Sequence, residues 1–99
     1  MVAQKVILSQ LNRKVPELKQ NFSVRKIGLF GSVVRNKADK QSDIDILVDL
    51  AEPTFDHYMD LKFYLEKLFN RSVDLVMADT IKPRIKPLIE QEVIYVKGL

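Results

Sequence analysis

Two hydrophobic periods alternate along this chain, and the alternation restricts its fold more than any other feature. Three short runs have strand length and strand composition: residues 24–30 (VRKIGLF), 44–50 (IDILVDL) and 73–77 (VDLVM). Around them, apolar residues recur at steps of three and four, which is the spacing of a helix face. Val6, Ile7, Leu11, Val15, Leu18 and Phe22 make one such stripe, interrupted by Pro16. Proline lacks an N–H and clashes with the preceding turn, so this segment predicts two short helices with Pro16 near the start of the second. Phe55, Tyr58, Met59, Leu61, Leu65, Leu68 and Phe69 predict a long amphipathic helix over about 54–69, with Thr54 as its N-cap. Ile81, Ile85, Leu88, Ile89 and Val93 predict a last helix opening at Asp79 or Thr80. Pro83 is tolerable in its first turn, and Pro87 marks a late start or a kink. Residues 93–96 then supply a short final strand. The order implies an α/β (α+β) fold, a small mixed sheet flanked by helices.

Ninety-nine residues suit one domain, 1–99. With 46% hydrophobic residues the chain has the makings of a globular core. Zero cysteines exclude disulfides, thiolate zinc sites and a cysteine nucleophile, and a single histidine removes most zinc chemistry. No apolar run approaches the ~20 residues that span a bilayer, and the first residues lack signal-peptide form. These features together predict a cytoplasmic protein without a membrane partner.

The net charge of +3 conceals a segregation. Residues 1–42 hold nine Lys or Arg against two Asp or Glu, whereas residues 43–66 hold one Lys against seven Asp or Glu. A basic half beside an acidic strip can hold an anion and a cation together, as a metal–nucleotide complex requires. Separately solvated surfaces of opposite sign give the same count.

The chemistry concentrates between residues 28 and 50. Gly31-Ser32 follows a strand, where glycine allows close approach of a ligand and the next amides can seat a phosphate. Asp43 and Asp45 are two apart at a strand entry, hence on one face, with Ile44, Ile46 and Val48 on the other. Two adjacent carboxylates repel unless a proton or cation intervenes, and magnesium suits carboxylates plus substrate phosphates. Asp74 lies in the third strand, which should neighbour the second and so face that pair. Three carboxylates at a strand end can hold two metals for in-line phosphoryl displacement. Arg35, three beyond Ser32, could meet a phosphate or buttress an aspartate. Taken singly, each feature also has a plain structural use: a turn, a cap, an edge-strand aspartate, a surface ion pair.

The composite of Gly31-Ser32-x-x-Arg35 with Ser42-Asp43-Ile44-Asp45-Ile46-Leu47-Val48, then a strand aspartate at Asp74, resembles the minimal nucleotidyltransferases of the DNA polymerase beta superfamily. More closely it is similar to the MntA-type antitoxins of prokaryotes. The tight match covers 27–50, and a looser one runs through Asp74 to the Lys82–Val96 tail. The resemblance implies the polymerase beta-like fold and two-magnesium transfer of AMP from ATP. It implies that Gly31 and Ser32 hold the triphosphate, with Arg35 and Ser42 also on the nucleotide-binding side. It further implies that Asp43 and Asp45 bind both Mg2+ ions and that Asp74 completes the metal and catalytic set. The partner it implies is a HEPN-type ribonuclease toxin, silenced by adenylylation of a tyrosine and by hetero-oligomeric complex formation. Two positions depart from the common pattern: Asn36 stands where many members have Gly, and Val34 where Ala is commoner. Asn tolerates the left-handed conformation, so the turn is compatible with it.

Two further functions fit the residues. One is an antitoxin acting mainly by binding, with Phe63 and Tyr64, off the main apolar stripe, facing the partner. The other is a nucleotidyltransferase acting on RNA ends, suggested by the sequence pI of 9.2 but without an aromatic-interleaved basic groove for RNA.

Overall fold

The computed structural model describes residues 4–35 and 43–97. Helices α1 (Gln4–Arg13) and α2 (Val15–Phe22) are split as Pro16 dictates, with the proline in the first turn of α2. Strand β1 (Val24–Phe30) leads to β2 (Ile44–Leu50), helix α3 (Phe55–Phe69), β3 (Val73–Met77), a 3-10 turn (Ala78–Thr80), α4 (Lys86–Glu92) and β4 (Ile94–Tyr95). The sheet order is β3-β2-β1-β4. β1 is antiparallel to both β2 and β4, while β2 and β3 run parallel, joined by α3 as a crossover.

Period-two alternation sets the faces of β2. Ile44, Ile46 and Val48 are at most 1% exposed and join Ile27, Leu29 and Leu75 in the core. Ile7, Leu11, Leu18, Leu61 and Leu65 from α1, α2 and α3 complete it. Thr54 caps α3 as expected, its hydroxyl accepting from the His57 amide at 3.1 Å. Asn70 ends α3 in the left-handed region, φ 53°. Two bonds then align the strand mouths that carry the acidic residues. The Val73 amide donates to Glu66 Oε2 at 3.0 Å, and the Ile44 amide donates to the Ser72 carbonyl at 3.0 Å.

Three segments differ from expectation. The turn and short helix expected from Gly31 to about Lys37 are, in the described part, a turn over 31–35 closed by the Arg35 amide on the Gly31 carbonyl at 3.1 Å. The last helix opens at Lys86, not at Asp79 or Thr80, which is the late start that Pro87 marks. Pro83 and Pro87 each remove an amide donor, and only a start just before Pro87 puts the missing N–H where the helix does not need it. Tyr64 is tied within the chain: its hydroxyl donates to Glu17 Oε2 at 2.8 Å and its ring meets Phe22 at 5.0 Å. α2 packs beside α3 and widens the covered arc beyond the stripe, while Phe63 remains 58% exposed. Among the described residues no helix is long and apolar enough to cross a membrane.

Candidate active site

The end of β1 and the start of β2 meet at the Phe30–Asp45 pair, and Asp45 in turn stands in register with Asp74 on β3. Parallel pairing puts side chains of registered residues on the same sheet face. Asp45 and Asp74 therefore project side by side from the face opposite the core, close enough for Asp74 to act on the Asp45 carboxyl. Asp43, one strand step further out, is exposed at the mouth of β2.

Gly31 follows at φ +73°, and a Cβ there would overlap Asp45 Oδ2 and stand 2.7 Å from its Cγ. The turn thus needs glycine for conformation and for room. The Ser32 backbone amide donates to the Asp45 carboxylate. Burial pushes the Asp45 carboxyl above its usual range, the Ser32 amide pulls it back, and the charges of Asp74 and Asp43 together with the Asp74 hydrogen bond raise it further. Carboxylates crowded at one strand mouth repel, and a bound cation would relieve that repulsion.

A cleft of about 280 Å³ opens beside this group. Gly31, Arg35, Asp45 and Glu92 form its polar side; Phe30, Ile85, Leu88 and Ile89 form its apolar side. Two roomier hollows, about 430 Å³ beside β4 and about 390 Å³ beside Phe55, hold none of the three aspartates or the glycine turn. Arg35 lines this cleft together with Asp45, and its Nε lies 3.9 Å from Glu92 Oε2 on α4. Ser42 and Asn36 lie outside the described residues. Glu92, which the sequence reading did not single out, also accepts the Gly31 amide at 2.8 Å. Nothing in the local sequence distinguishes it from a surface glutamate at a helix end; only the fold brings it across 61 residues to the turn.

Among the described residues no three His, Cys, Asp or Glu side chains are gathered closely enough to hold a metal ion unaided. The Asp45–Asp74 pair, with Asp43 near enough to act on Asp45 through its charge, offers oxygen ligands of the kind magnesium shares with substrate phosphates.

A family model described as a nucleotidyltransferase domain matches residues 11–96. The chain belongs to the nucleotidyltransferase family. It is 43% identical over 97 residues to the protein adenylyltransferase MntA of Thermococcus cleftensis, covering 97% of this chain and 98% of that relative. A solved candidate minimal nucleotidyltransferase superposes with a TM-score of 0.78 at 30% identity, covering 94% of this chain and 95% of that one. A tri-AMPylated HEPN toxin from Shewanella oneidensis in complex with its MNT antitoxin gives a TM-score of 0.68 at 20% identity, covering 97% and 73%. That last likeness is one of fold. The four-stranded mixed sheet is the minimal nucleotidyltransferase fold, so this chain is a nucleotidyltransferase whose β1–turn–β2 unit and β3 hold the signature residues of the sequence.

Proposed function

We propose that this nucleotidyltransferase is the antitoxin of a toxin–antitoxin pair and transfers AMP from ATP to a tyrosine of a HEPN-type ribonuclease toxin, with magnesium, in the cytoplasm. The observation that carries the reading is the register of Asp45 with Asp74 directly against the Gly31-Ser32 turn. The Thermococcus relative acts as a protein adenylyltransferase, and the Shewanella complex holds an AMPylated HEPN toxin; both support the choice of acceptor.

In this reading Asp43, Asp45 and Asp74 would hold two magnesium ions. When bound, these supply charge neutralisation at the phosphates and a more acidic acceptor hydroxyl. Ser32 offers a hydroxyl donor to the triphosphate, and Arg35 offers a cation that can turn from Glu92 toward it. The acceptor oxygen attacks the α-phosphorus in line, pyrophosphate departs, and Asp74, exposed at the strand edge, accepts the tyrosine proton. Ser42, in the same signature, contributes to the nucleotide side.

The test is incubation with magnesium, ATP labelled at the α-phosphate and the helical partner protein. Label should pass to the partner with the wild-type chain and fall to background with Asp43→Asn plus Asp45→Asn. Transfer that survives the double substitution would overturn the reading. Exposed Phe55, Phe63 and Leu88, at 75%, 58% and 65%, favour a second reading, neutralisation by binding. It expects the double variant to protect cells from the toxin as well as the wild type does.

A further inference from the structure

Gly31 has one amide hydrogen, and Glu92 Oε1 accepts it at 2.8 Å. The other oxygen of the same carboxylate stands 3.9 Å from Arg35 Nε. Arg35 is assigned above to the triphosphate and Gly31 belongs to the turn that holds it, so a carboxylate of this chain bonds one donor of that turn and pairs with the cation beside it. Glu92 is only partly exposed, its side chain 27% accessible, and it lines the cleft together with Asp45. The Ser32 amide is likewise committed, to Asp45. One N–H serves one strong acceptor at a time, so a phosphate oxygen gains the Gly31 amide only when Glu92 leaves it. A fixed negative charge at that point also opposes a polyanion directly.

We propose that Glu92 sets the nucleotide affinity of this enzyme: its carboxylate competes with the triphosphate for the Gly31 amide and Arg35, and binding requires their release. Because α4 ends at Glu92 and β4 begins two residues later, release of this contact loosens the tie between the C-terminal helix and the phosphate turn. The inference rests on the nucleotide reading of the Gly31-Ser32 turn. Glu92 is a positioning residue in this scheme; it takes no part in bond making.

Glu92→Gln separates competition from simple bracing. The glutamine oxygen can still accept from Gly31, so a brace would be kept, while the competing charge is gone. Calorimetry with magnesium and a non-hydrolysable ATP analogue, and separately with magnesium and inorganic tripolyphosphate, should show E92Q binding both roughly five-fold tighter than wild type at low salt, with the gain shrinking as salt is raised. KM for ATP should fall by a similar factor with kcat nearly unchanged. In the wild type, NMR should show the Glu92 side-chain carboxyl and the Gly31 amide shifting together as tripolyphosphate is added. This second measurement stands if E92Q folds poorly. Equal or weaker binding by E92Q, or a Glu92 carboxyl resonance indifferent to saturating tripolyphosphate, overturns the inference alone. Absence of any binding by both proteins overturns the nucleotide reading as well.

Discussion

At the scale of single residues, Asp45 carries opposing demands. Burial and two neighbouring carboxylates favour its protonated form, while its proposed task needs it ionised. Its folded pKa lies above the unfolded value of 3.8. The folded state therefore holds that proton more tightly, and the associated stability is complete below 3.8 and declines as pH climbs through the raised folded value. Relative to Asp45→Asn, which cannot ionise, the wild type should lose melting temperature across that window. In magnesium-free buffer at pH 7, Asp45→Asn should melt slightly higher, by about 1–3 °C, since solvent screening at a half-exposed site keeps the effect small. It should be inactive in transfer. A wild type that gains on the variant as pH rises would contradict the assignment. Gly31→Ala brings both a strained φ and an overlap with Asp45, and should cost about 1–3 kcal/mol in urea unfolding while abolishing transfer. The sequence made Gly31, Asp43, Asp45 and Asp74 legible because spacing and composite pattern survive without coordinates. Glu92 was not legible: its meaning arises from a contact 61 residues away.

At the scale of elements, the three long strands and α3 could be read to within a residue, since period-two and helical patterns are unambiguous there. The C-terminal third was harder. Two prolines cut the Ile81–Ile89 stripe, and the chain spends 81–85 outside regular helix before α4 forms. Edge pairing of β4 depends on Gly28, where a Cβ would come within 2.8 Å of the Ile94 carbonyl. Gly28→Ala should loosen β4 and cost about 1–3 kcal/mol by overpacking. Hydrogen exchange should then rise at Val96, whose amide donates to Ile27, before it rises in β2. Glu66→Ala removes the acceptor of the Val73 amide beside Asp74. About 1 kcal/mol should be lost, with faster exchange at the start of β3 and unchanged exchange in α1.

Across the whole molecule, the charge segregation seen in the sequence becomes geometry. The acidic strip enters the sheet at Asp43 and Asp45, and the basic N-terminal half sends Arg35 to the cleft rim. Helices α1 to α3 supply the core on one face of the sheet, while Asp45 and Asp74 project from the other, where α4 lines the cleft beside Asp45. A compact scaffold with one exposed carboxylate edge suits a donor nucleotide on the chain and an acceptor supplied by a partner protein. The most direct test of this arrangement is a crystal of the wild-type chain grown with manganese and a non-hydrolysable ATP analogue, measured for anomalous scattering. Manganese peaks should appear coordinated by Asp45 and Asp74, with Asp43 drawn in, beneath a triphosphate on the Gly31-Ser32 turn and with Glu92 displaced from the Gly31 amide. An analogue bound in the hollow beside β4 or beside Phe55, with no metal at the aspartates, would contradict it.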